Sequence, residues 1–262
     1  MKLSISNIGW DKKYDKAMYE LMDSCSFCGL EIAPTRIIKD NPYDNLDDIY
    51  LWNCFIKREY GFNISSMQSI WYGRSEMIFG SNDEREFLIN YTKKAIKFAE
   101  IIGCKNLVFG CPRNRNIPDG VNEEVAIDFF RTIGKYAYNH NTVIAIEANP
   151  PIYNTNFINN TEEALALVKK IDSKGVLLNL DIGSMIENSE DVSILDGHIN
   201  IINHIHISEP KLKPIVKRGI HYDLAVFLKN NDYDKFVSIE VEKQEDLNSL
   251  IVMMKYIKEL FG

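Results

Sequence analysis

Four stretches of this chain share one design, a short apolar run that delivers a residue able to hold a metal or move a proton. Thr142–Tyr153 (TVIAIEANPPIY) carries Glu147, VLLNLD ends on Asp181, INHIHI carries His206 and FVSIE ends on Glu240. The intervals are 34, 25 and 34 residues, each close to one strand plus one helix. A run that is apolar on both faces belongs in a parallel sheet covered on both sides. In such sheets chemistry gathers where the carboxyl ends of the strands turn into loops. Four successive strands ending in Glu, Asp, His and Glu therefore constrain the fold and the chemistry together.

The rest of the chain supplies matching units. Strands are expected at Lys2–Ile8, Leu30–Ala33 (which carries Glu31), Phe62–Gln68 and Asn106–Phe109, ahead of the stretch that ends at Glu147. Val176–Asp181, Ile202–Ile207 and Phe236–Glu240 complete the set. Apolar residues at helical spacing mark the segments between them: Ala17, Leu21 and Met22 in Tyr14–Cys25; Leu46–Tyr60; a helix capped at Asp83 and followed by Phe87, Tyr91, Ala95, Phe98 and Ile102; and Asn122–His140. Thr161–Ile171, opened by an Asn160–Glu163 capping pair, a short Tyr222–Leu228 helix and a closing helix with Leu250, Met254 and Ile257 follow. Ser69–Gly80 reads as a long, functional connection. Eight alternating units with no linker predict an α/β fold, a (β/α)8 TIM barrel forming a single domain over residues 1–262. An open doubly wound sheet is the alternative, but no GxGxxG follows the first strand.

A barrel points its strand ends at one axis, so Glu147, Asp181, His206 and Glu240 should converge. Three carboxylates and an imidazole gathered without countercharge repel one another, and one divalent cation resolves the conflict. The donor set suits Mn²⁺, Mg²⁺ or Co²⁺, with Zn²⁺ admissible. His204 shares the parity of His206 but lies one layer deeper, as a hydrogen-bonding core residue. Glu242, beside Lys243 and Gln244, reads as a solvated loop residue. Asn7, Gln68 and Asn149 sit at strand exits with the neutral donors and acceptors that sugar hydroxyls need. Arg113 and Arg115 leave the fourth strand, and Glu209, Lys213 and Arg218 follow the seventh, where barrels often hold phosphate.

Bulk properties remove other classes. A formal charge of −7 opposes broad nucleic-acid binding. No apolar run approaches the roughly 20 residues that span a bilayer, and the first residues lack a signal-peptide pattern, so a cytoplasmic setting is expected. Five cysteines, odd in number, fit a reducing compartment, and the lone Cys25–Cys28 pair reads as ordinary thiols. Self-association is left open.

At IEANP (Ile146–Pro150), LNLDIG (Leu178–Gly183), HIHISEP (His204–Pro210) and VSIE (Val237–Glu240) the chain resembles the xylose isomerase-like TIM-barrel superfamily, in particular its sugar phosphate isomerase/epimerase branch. The resemblance covers essentially the whole chain. It implies one Mn²⁺, Co²⁺ or Mg²⁺ held by Glu147, Asp181, His206 and Glu240, with Glu147 and Glu240 also serving as the acid/base pair on a sugar or sugar phosphate. Two positions depart from the ketose 3-epimerase pattern: Ser184 stands where a substrate-binding His is usual, and Tyr153 where a further Glu is usual. The same barrel hosts endonuclease IV, a trinuclear zinc phosphodiesterase, but no histidine precedes His140 here. A barrel that binds sugar without turnover is the remaining alternative.

Overall fold

The computed structural model describes all residues from Met1 to Gly262. Eight parallel strands close into a barrel in chain order: β1 (Lys2–Ser6), β2 (Gly29–Ile32), β3 (Asn63–Met67), β4 (Leu107–Phe109), β5 (Ile144–Glu147), β6 (Val176–Asp181), β7 (Ile202–Ile207) and β8 (Phe236–Ile239), with β8 pairing back onto β1. Around them run α1 (Asp15–Ser24), a single turn α2 (Pro34–Ile37), α3 (Leu46–Tyr60), α4 (Asn82–Ile102), α5 (Glu124–Asn139), α6 (Thr161–Ile171), α7 (Ile182–Glu187), α8 (Gly219–Asn230) and α9 (Leu247–Phe261). This is the (β/α)8 barrel that the eight-unit pattern predicts.

The alternation of each strand divides two cores. Ile5, Ile144, Ile146, Leu180, Ile205, Ile207, Val237 and Ile239 are buried against the helices. There Phe109 meets Trp71 and Phe130 edge-on, at centroid separations of 5.0 and 4.8 Å. Each such buried side chain stabilises the shell by roughly 1.5–3 kcal/mol. The residues between them face the barrel axis, and most of these, Ala145 apart, are polar: Ser4 bonds Ser65 at 2.5 Å, and Asn106 donates to Ser66 at 3.0 Å. A polar axis inside an apolar shell lets buried charges at the strand ends be hydrogen-bonded from below.

Local details correct several sequence expectations. The cap of α4 is Ser81, not Asp83: Ser81 Oγ accepts from Glu84 N and the Glu84 carboxylate accepts from Ser81 N, leaving Asp83 in the first turn where its charge complements the helix dipole. That helix stops at Gly103, whose φ of 70° a side chain would resist. β1 ends at Ser6 rather than Ile8, because Asn7 turns into a 3₁₀ segment (Asn7–Gly9). α8 is longer than expected, beginning at Gly219 directly after the extended Arg218. α7 was not foreseen. It starts at the end of β6 because the Asp181 side chain caps it, accepting from Ser184 N at 2.6 Å. All five cysteines are free thiols. No helix of the structure is long and apolar enough to cross a membrane.

Candidate metal centre and active site

Parity and register bring the four predicted ligands to one end of the axis. Glu147 lies opposite Asn179 across β5–β6, Asp181 opposite His206 across β6–β7, and His206 opposite Ser238 across β7–β8. His206 Nδ1 is 3.0 Å from Glu147 Oε1 and 3.1 Å from Glu240 Oε2. One donor atom from each of Glu147, Asp181, His206 and Glu240 falls within 4.8 Å of the others, close enough for a single ion to be shared.

Neighbours hold these donors in place. Asn179 Nδ2 donates to Glu147 Oε1 at 2.6 Å, and Asn149 Nδ2 to Glu147 Oε2 at 3.3 Å. Arg115, fully buried, donates to the backbone carbonyls of Glu147 at 2.8 Å and Ile158 at 3.0 Å, clamping the exit of β5 from outside. Ser208 Oγ donates to Asp181 Oδ2 and accepts from Gly183 N. Gly110 at the end of β4 is required by space alone, since a Cβ there would collide with Glu147 Oε2.

The electrostatics are those of buried carboxylates gathered around one imidazole. Burial, and then the charge of Glu147, lifts the Asp181 carboxyl to about 6. Burial lifts Glu240 to about 7 even though His206 pulls the other way. For His206, burial favours the neutral ring, but the charges of Glu240 and Glu31 and the bonds to Glu147 and Glu240 outweigh it and hold the imidazole protonated well above its usual range. A cation offered to this cluster meets hard carboxylate oxygens and one imidazole nitrogen, so the donor set fits a divalent ion.

Glu31 is the residue that sequence reasoning left unassigned. It projects from β2 beneath the site, completely buried, with Oε2 2.8 Å from His206 Nε2 and 3.1 Å from His204 Nε2. Burial by itself raises a carboxyl, but the His206 charge and the two histidine contacts hold Glu31 below the usual carboxylate range. The signal that could have found it is the one used elsewhere, a carboxylate set in an apolar strand (GLEI).

The other predicted positions divide. Asn149 lies beside Glu147, with its Oδ1 buried and unpartnered. Gln68 is buried below the cluster, donating to Ser6 Oγ at 2.5 Å and Glu31 Oε1 at 3.3 Å. Asn7 Oδ1 accepts from Ala33 N at 2.9 Å and ties the β1 exit to the β2 exit. Glu209 is buried and held by Arg218, whose Nε and Nη2 reach its two oxygens at 2.6–3.0 Å. Arg113 and Lys213 are exposed, as is Glu242. Tyr153, at a position where the family pattern has an acid, accepts from Lys211 N at 2.8 Å and so latches the β5 and β7 exit loops together. Burial pushes its hydroxyl up to about 12.

Comparison with known proteins follows this geometry. The family model described as xylose isomerase-like TIM barrel matches residues 56–259. Among solved structures, the D-psicose 3-epimerase of Clostridium cellulolyticum H10, determined with D-tagatose, superposes with a TM-score of 0.79 at 16% identity over 100% of each chain. The 3-keto-D-glucoside 4-epimerase YcjR of E. coli gives 0.77 at 17% identity over 99% of each chain. An AP endonuclease of family 2 from Brucella melitensis gives 0.74 at 19% over 95% of each. At these identities the likeness is one of fold. No curated protein sequence matches significantly. With the family model spanning most of the barrel, strands β5 to β8 included, the chain belongs to the xylose isomerase-like TIM barrel family.

Proposed function

We propose that the protein is a divalent-metal-dependent isomerase or epimerase acting on a sugar, free or phosphorylated. The observation that carries this reading is the placement of two glutamates, Glu147 on β5 and Glu240 after β8, at 3.0 and 3.1 Å from the same atom, His206 Nδ1. Sugar epimerases among the fold neighbours support it. Glu147, Asp181, His206 and Glu240 would hold the ion, which when bound polarises a carbonyl and a neighbouring hydroxyl and acidifies the C–H beside them.

The chain's own part is to move that proton. One glutamate takes the proton from carbon, and the other returns a proton to the opposite face of the carbon or to the neighbouring carbon. General acid–base catalysis of this kind contributes typically about 10²–10⁴-fold. Asn179 fixes the Glu147 carboxylate, and Asn149 Oδ1 offers an acceptor to a substrate hydroxyl beside it. Tyr153, latched to Lys211, lies across the mouth between two loops. The phosphodiesterase reading lacks ligands: of the five histidines only His204 and His206 reach the axis, while His140 contacts Glu100, His198 contacts Lys169 and His221 contacts Tyr256.

The test is NMR of product formed from a responsive sugar in D₂O. A glutamate pair places solvent deuterium at the reacting carbon, and Glu147→Gln and Glu240→Gln each lower kcat by about 10²-fold or more. Product formed at full rate without deuterium would point to a hydride shift and remove both glutamates from these roles.

A further inference from the structure

Phosphate-binding barrels often use the loops after the seventh and eighth strands, yet the guanidinium there, Arg218, is already neutralised by its two-pronged bond to Glu209. Unneutralised guanidinium groups lie across the barrel mouth. A cavity of about 520 Å³ opens between the β3 and β4 exit loops, lined by Ser69, Trp71, Arg74, Gly110, Arg113 and Asn114 among others. Neither Arg74 nor Arg113 forms an ion pair, and Arg74 Nε is buried without any partner. The nearest acid in sequence, Glu76, turns its carboxylate to Ser75 N.

The cavity is built rather than incidental. Arg74 lies over the rings of Tyr91 at 5.3 Å and Phe87 at 5.8 Å, which anchor its guanidinium. Asn114 ties the two loops together, donating to the carbonyls of Arg74 at 3.2 Å and Glu76 at 2.8 Å while its own carbonyl accepts from Ile78 N. Gly110 is the wall shared with the metal centre, because Glu147 Oε2 packs directly against it. A ligand seated at Glu147 would therefore extend into a pocket whose charged groups are both positive.

We propose that this cavity is a subsite for an oxyanion, a phosphate monoester or a carboxylate, carried on the end of the substrate away from the reacting carbons and held by Arg74 and Arg113. Its service to turnover rests on the isomerase reading, but its capacity to bind an anion does not. Paired guanidinium groups form the stronger, charge-assisted class of hydrogen bond to such groups.

The experiment is calorimetric titration of metal-free protein with inorganic phosphate and with D-glucuronate, followed by competition of D-fructose 6-phosphate against D-fructose. Wild type should bind at least one of the two anions, and the phosphorylated or the carboxylated sugar should bind about tenfold or more tightly than the neutral one. Preference for phosphate assigns a monoester, and preference for glucuronate a sugar acid. Arg113→Ala, an exposed change that leaves folding intact, should lose about tenfold in anion affinity, and Arg74→Gln a similar amount. No anion binding, equal binding by Arg113→Ala, or loss in Lys213→Ala instead would overturn the proposal. Deuterium incorporation from D₂O reads the isomerase chemistry separately, so either can fail without the other.

Discussion

Glu31 Oε2 stands 2.8 Å from His206 Nε2, joining β2 to β7 across 175 residues of sequence. The contact holds a proton on Nε2 and leaves Nδ1 to face Glu147 and Glu240. A carboxylate behind a ligating histidine fixes its tautomer and raises its basicity.

Removing that carboxylate should therefore weaken the metal centre without touching a ligand. Glu31→Ala is expected to lose about 10–100-fold in Mn²⁺ affinity by calorimetry, with an altered electron paramagnetic resonance spectrum of the bound ion. Glu31→Gln keeps an oxygen for the Nε2 proton and should recover part of the loss. Wild-type affinity and spectrum in Glu31→Ala would show that Glu31 merely fills space.

Asp181 has two duties that substitution separates. Asp181→Ala removes the proposed ligand and the cap of α7, so the metal-free protein should be about 1 kcal/mol less stable than Asp181→Asn, for the lost cap. Asp181→Asn keeps a capping oxygen and should retain the fold while binding little Mn²⁺. A carboxyl lifted to about 6 destabilises the folded state at pH 7, because the folded form binds the proton more tightly than the unfolded chain and that preference is forfeited as pH rises through 6. Metal-free Asp181→Asn should then be at least as stable as wild type at pH 7 by urea denaturation. Full metal occupancy in either variant would remove Asp181 from the ligand set.

Gly110→Ala tests how closely the β4 exit approaches the site. The added methyl would collide with Glu147 Oε2, and the carboxylate is the part able to move. Thermal unfolding should shift little, while Mn²⁺ affinity falls by about tenfold or more. An unchanged affinity would show that Glu147 does not need the position it occupies.

His221 gives the fold a pH dependence of its own. It is buried, with Nδ1 3.1 Å from Tyr256 Oη, and burial pushes its pKa down to about 4. Between pH 6.5 and 4 the unfolded chain binds a proton that the folded protein refuses, so stability is full above pH 6.5 and declines as pH falls through this window. The loss is at most about 3 kcal/mol by pH 4. Denaturation at pH 7.5 and 5.0 measures it, and His221→Gln should flatten the difference. An equal pH response in that variant would assign the effect to other groups.

The eight strands, their parallel order and the four strand ends that converge as Glu147, Asp181, His206 and Glu240 were legible in the sequence because each is a local pattern: an apolar run, a breaker and a chemically capable residue at its end. VLLNLD and INHIHI matched the observed strands to the residue for the same reason. The loop after β6 was not legible, since α7 depends on the Asp181 side chain, which the ligand pattern had already claimed. Nor was the fate of the charged exit residues. Whether Arg115 is a solvated charge or a buried clamp on Glu147, and whether Arg218 is free or bound to Glu209, depends on which loops the closed barrel sets side by side. Glu31 shows the division most clearly. Sequence placed a carboxylate in a buried strand, but only closure of the barrel, which brings β2 and β7 to one axis, decided that it stands behind His206. Periodicity is written in neighbouring residues, whereas the partners of a buried charge are chosen by the fold as a whole.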